Sequence, residues 1–518
     1  MAQYLRRLAT TGAAYTASSI LSKLVAVALL PLYTRHLSPS DYGAAEVLLS
    51  VVIATSIVIR LGVLEAVMRF YYQGGEDRGA VVSTAFASLF WTATAGAAAA
   101  LAAAGPISSA LLGHEDAGLA RVAILGLWIF TMTEFLLTLY RLDERAKAFL
   151  AVTIGDTLIT IPLTVYLVIG LGQGAHGLLL GNFASTGGFL AILLLSQRRR
   201  LALWPEPGLL RRMVRFGLPT MPAELSLYSL NLIDRIVIVR SAGLAEAGLY
   251  SLGLKFAQAI NILVRGFQLA WPPLAYSISD DGEARRTYAL VVSYFAAICA
   301  FVVTGMWLLS RWLLHVFAAP QFFAAFKGVG PLATAIVLYG LYLVLVVILG
   351  RSGRTEFNFP ATGAALAVNV GLNLLLVPRM GFIGAAVALI ASYVVVLVLM
   401  YLFTRRLFSV PYQWWRLLQV IATAAALIAA GELLAPKHGA AGLLARVGLW
   451  AAYPLALWLS GFFTAAERSA LGALLSPRQV AARLRSLRAA PAGVTSGADE
   501  GFAAEVLESE ARDEDLRT

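Results

Sequence analysis

About fourteen stretches of mostly apolar residues follow one another along this chain, each near the roughly 20 residues that an α-helix needs to cross a hydrocarbon core of about 30 Å. They cover 10–33, 43–66, 80–104, 119–140, 149–171, 176–196, 213–239, 247–271, 287–310, 328–350, 358–377, 382–403, 414–434 and 442–464. In lipid every backbone polar group must be satisfied within the segment or in a closed barrel, and runs of this length read as helices. The predicted fold is therefore an all-α polytopic membrane protein of about 14 transmembrane helices. Composition excludes a water-soluble globule: 59% of residues are hydrophobic and 13% charged, against about 25% charged in soluble domains. The connections are too short to house a soluble catalytic domain. The single Cys299 offers no disulfide or CxxC pair, and five scattered histidines give no metal cluster. The net charge of +11 is spread between apolar segments, which is the charge of membrane topology rather than of a nucleic-acid surface.

Loop arginines set the orientation. Arg6, Arg7, Arg78, Arg141, Arg145, Lys147, Arg198 to Arg200, Arg211, Arg212, Arg285, Arg286, Arg351, Arg354, Arg405, Arg406 and Arg416 fall on one side, and the opposite loops hold little beyond Arg35, Arg121, Lys327, Arg379 and Lys437. The N-terminus shares the basic side, so it is expected in the cytoplasm. An even number of spans returns the C-terminus there. The stretch 466–518, acidic toward its end, is expected to be a disordered cytoplasmic tail.

The chain also repeats itself. At an offset of 205, Arg35, Gly43, Arg60 and Tyr71 align with Arg240, Gly248, Arg265 and Tyr276; at 207, Gly174, Gly177 and Ser185 align with Gly381, Gly384 and Ser392. Each repeat holds an even number of helices, so both enter the membrane in the same direction, as parallel repeats do. The expected organisation is a six-helix lobe in 1–196, a cytoplasmic linker in 197–212, a second six-helix lobe in 213–404, two added helices in 405–465, and the tail. A substrate path belongs between the lobes.

Ionisable groups within spans are costly and normally face a protein interior or a watery cavity. Thr11, Tyr15, Ser19, Ser22 and Lys23 recur at helical spacing in the first span, Glu224, Tyr228, Asn231 and Arg235 in the seventh, and Lys255, Gln258, Asn261, Arg265 and Gln268 in the eighth, while the second carries Ser50, Ser56 and Arg60. These stripes predict a hydrophilic cavity between repeats, with Lys23, Arg60, Arg235, Lys255 and Arg265 as cationic contacts for an anionic substrate. Glu134, Asp156, Glu224 and Asp234 are the candidates for a coupling-ion or proton site. Glu65 and Arg69, four residues apart, read instead as an ion pair, and Arg35 and Arg240 at helix ends read as snorkelling side chains.

Arg35-His36-Leu37-Ser38-Pro39-Ser40-Asp41-Tyr42-Gly43, Arg60-Leu61-Gly62-Val63, Arg69-Phe70-Tyr71-Tyr72, Phe216-Gly217-Leu218-Pro219, Asp234-Arg235 and Ala247-Gly248-Leu249-Tyr250-Ser251 occur in that order, followed by Asn369, Asn373, Pro378, Gly381 and Gly384. In this the chain, over roughly 10–465, resembles the polysaccharide transporters of the multidrug/oligosaccharidyl-lipid/polysaccharide exporter superfamily, the Wzx-type flippases. The resemblance implies two six-helix lobes around a V-shaped cavity, alternating access, and export of an undecaprenyl-pyrophosphate-linked oligosaccharide to the periplasmic leaflet of a bacterial inner membrane. It implies no bound cofactor, a dependence on membrane potential, H⁺ or Na⁺, and a polysaccharide polymerase and glycosyltransferases as partners. An ion-coupled multidrug exporter of the MATE type and a lipid II flippase are the alternatives within the superfamily. A polytopic glycosyltransferase or polymerase would need acidic residues on a long loop, and Asp41, the one tempting carboxylate, belongs to the Asp-Tyr-Gly turn.

Overall fold

A computed structural model of the chain describes residues 29–72, 77–465, 467 and 468. The stripe from Thr11 through Tyr15, Ser19 and Ser22 to Lys23, the side chain of Asn231 and the acidic tail lie outside what is described. Among the described residues regular structure is helical throughout. The helices are α1 Leu30–His36, α2 Pro39–Ile59, α3 Val63–Tyr72, α4 Arg78–Ala102, α5 Ala104–Leu112, α6 Ala117–Leu142, α7 Ala146–Val165, α8 Gly174–Gln197, α9 Pro207–Gly217, α10 Met221–Ala242, α11 Leu244–Ala257, α12 Asn261–Ser277, α13 Asp281–Phe317, α14 Phe326–Arg351, α15 Asn358–Met380, α16 Phe382–Leu407, α17 Trp414–Leu433, α18 Gly439–Ala451 and α19 Tyr453–Leu459.

Eleven helical segments are long and apolar enough to cross a membrane, or twelve if α18 and α19 form one span. The chain is thus a multi-pass membrane protein, and the described residues do not establish the expected count of fourteen. Two physical reasons account for the gap. The first span falls almost wholly in residues not described. The seventh is α10, which is long enough but carries Glu224, Asp234, Arg235 and Arg240, too polar a set for its length. Residues through Tyr453 form one compact unit and Pro454 onward another; in the latter the Arg468 guanidinium lies 5.5 Å over the Trp458 ring.

Helix α2 is central. Of its membrane-crossing window 67% is buried among the described residues, against 11% for Ala146–Gly170. The Ser38-Pro39-Ser40-Asp41 sequence starts α2 by its own chemistry: Ser38 is the N-cap, Pro39 fills the first turn, and Asp41 closes a capping box, its backbone N–H 3.0 Å from Ser38 Oγ. Helix α11 starts 244 − 39 = 205 residues later, the offset of the sequence repeat. A 3₁₀ turn at Gln258–Ile260 joins it to α12, so the pair continues as one segment of 34 residues. These repeat mates pack on each other, and α2 touches α11 more extensively than it does any described helix of its own half. Gly43 and Gly248 permit this approach: a Cβ on Gly43 would lie 2.1 Å from the Leu244 carbonyl oxygen, and one on Gly248 2.0 Å from that of Pro39.

At the arginine-rich end, α2 turns into α3 through Leu61 and Gly62, both with positive φ. The amphipathic α9 buries Leu209 and Met213 and exposes Arg211, Arg212 and Arg215. Its last residue, Gly217, abuts Gly62 so closely that neither tolerates a Cβ. Arg69 does not pair with Glu65 as expected from their spacing; its guanidinium lies 4.3 Å over the Phe216 ring, so the linker helix has taken the cation.

Candidate functional site

A cavity of about 910 Å³ opens between the two repeated halves. Glu46, Ser50, Ile53, Ile57 and Arg60 form its α2 wall, at spacings of four, three, four and three, which is one face of a helix. Lys255, Gln258, Asn261, Arg265 and Gln268 form the wall opposite, from α11, its 3₁₀ turn and α12. Ser50 and Lys255, and Arg60 and Arg265, are repeat mates, so the duplication supplies both walls. Glu224, Tyr228 and Arg235 of α10, Glu134 of α6, Asn182 of α8, Tyr339 of α14 and Tyr393 of α16 complete the polar part of the lining. The expected Ser56 is not in it: it is fully buried, and its hydroxyl donates to the Ile53 carbonyl at 2.8 Å.

The charges are more nearly balanced than the sequence predicts. Among the described residues the lining holds four cations, Arg60, Arg235, Lys255 and Arg265, and three carboxylates, Glu46, Glu134 and Glu224. Lys255 Nζ stands 2.5 Å from Glu46 Oε1, and Arg235 Nη2 3.8 Å from Glu46 Oε2. Arg235 also donates to Ser50 Oγ at 2.6 Å and to Ser251 Oγ at 3.2 Å. Arg60 pairs with Glu224 at 3.1 Å, where Glu224 is 43% exposed. All three ion pairs join the first half of the chain to the second. Arg265 is exposed to the cavity and has no ion-pair partner among the described residues.

The four acidic candidates are dispersed. Glu134 and Glu224 line the cavity. Asp156 lines a smaller pocket of about 250 Å³ that shares Glu46, Leu49, Asn182 and Lys255 with the larger one; Ser185 and Thr186 donate hydroxyls to it at 2.7 and 3.2 Å. Asp234 is fully buried away from the cavity. It accepts from Tyr250 Oη at 2.7 Å and from Asn373 Nδ2 at 2.8 Å, with Asn369 one turn away on the same helix. The stripe of Ser50, Ser56 and Arg60 on α2 does not include Glu46, although Glu46 lies on the cavity face. The spacing that runs 46, 50, 53, 57, 60 was the signal.

The model of a family described as "Polysaccharide biosynthesis protein" matches residues 32–327, more than half of the 518 residues. No curated protein matches the chain by sequence. Among solved structures, the lipid II flippase MurJ in an inward closed conformation is 10% identical with a TM-score of 0.67, covering 86% of this chain and 98% of its own. An inward-facing multidrug resistance MATE family transporter of the MOP superfamily is 17% identical with a TM-score of 0.63, covering 75% and 94%. An outward-facing structure of such a transporter, at 16% identity, gives 0.55 over 78% and 95%. At these identities the likeness is one of fold.

Proposed function

Because the chain belongs to the polysaccharide biosynthesis protein family, we propose that it is a flippase carrying a polyprenyl-pyrophosphate-linked oligosaccharide across the bilayer by alternating access. The observation that carries this reading is the inter-half cavity, where Arg265, without an ion-pair partner among the described residues, is flanked by Gln258, Asn261 and Gln268, with Tyr228, Tyr339 and Tyr393 in the same lining. A guanidinium with amide donors beside it suits a pyrophosphate, and tyrosines, each with an apolar ring and a polar hydroxyl, suit the apolar and polar faces of sugars. The segments 1–196 and 213–404 would act as the two lobes, with the arginine-rich end and both termini in the cytoplasm of a bacterial inner membrane.

Export of an anion is favoured by an inside-negative potential, at about 2.3 kcal/mol per charge per 100 mV. An H⁺ or Na⁺ gradient would act instead through a carboxylate held by neutral oxygens and amides, for which Asp234 and Asp156 are the best placed. The polymerase and glycosyltransferases that make and use the substrate are the proposed functional partners.

Lipid analysis of a depletion strain tests the proposal. An undecaprenyl-pyrophosphate oligosaccharide should accumulate on the cytoplasmic side when the protein is lost. Accumulation of lipid II would move the assignment to that substrate. Normal lipid intermediates with new sensitivity to cationic drugs would refute the flippase reading in favour of a multidrug exporter.

A further inference from the structure

The carboxylate of Glu46 fastens the two halves together at the end of the cavity nearest the starts of α2 and α11. It lies on α2, is 7% exposed, and both of its cations, Lys255 and Arg235, come from the second half. Lys255 is additionally seated 5.1 Å over the Tyr42 ring. About one turn before Glu46 on α2 and about two before Lys255 on α11, the two helices meet backbone to backbone at Gly43 and Gly248. The ion cluster and this close backbone contact between the halves thus belong to one junction, and Glu46 and Lys255 face both the main cavity and the smaller pocket beside it.

Two cations share one carboxylate, so the cluster keeps a net positive charge toward the cavity. An anion arriving there competes with Glu46 for Lys255. If it wins while α2 and α11 stay in contact, Glu46 is left as a buried carboxylate short of a partner, an unfavourable state. Parting of the helix starts at Gly43 and Gly248 would admit water to it. We propose, on the basis of the flippase reading above, that Glu46 is a latch released by the anionic head of the substrate, so that binding in the cavity opens the end of the bundle opposite the arginines. The ligand shifts the equilibrium by the ratio of its affinities for the latched and unlatched states.

Ser40 and Ala245 are exposed at the starts of α2 and α11 and are repeat mates. In the full-length chain carrying Ser40→Cys and Ala245→Cys, in lipid nanodiscs, the yield of a short bifunctional thiol crosslinker is followed as inorganic pyrophosphate is added, with pyrophosphate binding measured calorimetrically on the same sample. The native Cys299 is buried and remains. Saturating pyrophosphate should lower the yield roughly five-fold or more, the lower end of ordinary coupling between sites. With Glu46→Gln added, the yield should start low and no longer respond, while pyrophosphate binds at least as tightly. Glu46→Asp, which keeps the charge on a shorter reach, should recover part of the response. Pyrophosphate that binds the parent protein without changing the yield overturns the latch and leaves the flippase reading standing. Absence of binding overturns both, and an undiminished response in Glu46→Gln assigns the coupling elsewhere.

Discussion

Replacing Lys255 by Met should destabilise the protein far more than removing Arg60, although both are cavity cations paired across the halves. Taking an effective dielectric of about 20, the attraction of Glu46 is roughly 7 kcal/mol to Lys255 and roughly 4 kcal/mol to Arg235 at the observed separations. Lysine removal therefore strips away a little over half of what holds the buried carboxylate. Breaking a buried pair from one side costs about 3–5 kcal/mol, and the retained arginine brings the expectation for Lys255→Met to about 2–3 kcal/mol. Adding Glu46→Gln should recover much of this, giving a double-mutant coupling of about 2 kcal/mol. For Arg60 and Glu224 the exposed carboxylate is hydrated, so the coupling should stay below about 1 kcal/mol. Unfolding by denaturing detergent in mixed micelles, followed by tryptophan fluorescence, measures both cycles. Equal couplings, or a Lys255→Met protein within about 0.5 kcal/mol of the parent, would refute the claim that burial makes the Glu46 cluster the stronger junction.

Arg265→Ala should abolish complementation of a flippase-null strain while leaving membrane insertion and thermal stability near the parent's, since an exposed cation without a carboxylate partner contributes little to folding; full complementation by the alanine variants of Lys23, Arg60 and Arg265 would end the cationic-contact idea. Gly248→Val sets a branched side chain against the Pro39 carbonyl oxygen, so it should force the α2 and α11 starts apart and lower crosslinking of cysteines at 40 and 245 without any ligand. Asp143, between α6 and α7, is partly buried, which disfavours its charge, but hydrogen bonds from Arg200 at 2.6 Å and Tyr71 at 2.6 Å outweigh this and hold its carboxyl below the ordinary 3.8. Its contribution to stability is then complete above the ordinary carboxylate range and lost as pH falls through the lowered value. The melting difference between parent and Asp143→Asn should be constant from pH 5 to 7, as estimated from the reference range, and shrink below about pH 4; a gap that widens with acid would contradict the assignment.

What was legible in the sequence were features that depend on period and length. The apolar runs located the spans that the structure describes, and the offset of 205 anticipated that α2 and α11 begin as mates. The stripe of Lys255, Gln258, Asn261, Arg265 and Gln268 does face one cavity. What could not be read were pairings between residues distant in the chain. Nothing local marks Glu46 as the partner of Lys255, 209 residues away, or Glu224 as the partner of Arg60, 164 residues away. A stripe of cations thus looked more positive than the site it builds. Ser56 failed for a different reason: in an apolar setting a serine can satisfy itself on the preceding turn, so its polarity carries no information about the cavity. Asp234, Asn369 and Asn373 were visible individually, and only the fold brings them together.

The duplication also explains why both junctions run between halves rather than within one. A strict copy of α2 in α11 would place carboxylates at 46 and 251 and hydroxyls at 50 and 255. The chain instead has Glu46 opposed by Ser251, and Ser50 opposed by Lys255. Charge has thus been divided so that each half holds one member of the pair, and neither can satisfy it alone. Two symmetric carboxylates meeting near Gly43 and Gly248 would repel and hold the halves apart; two symmetric lysines would do the same. Broken symmetry at these positions converts a contact that the glycines merely permit into one that is electrostatically favoured, and conditional on where the anion for Lys255 comes from. Restoring symmetry with Ser251→Glu tests this logic directly: a second carboxylate beside Arg235 should take that cation from Glu46, weaken the inter-half coupling measured with Lys255, and lower the crosslinking yield at the helix starts. A yield equal to the parent's would show that the glycine contact alone holds the end closed.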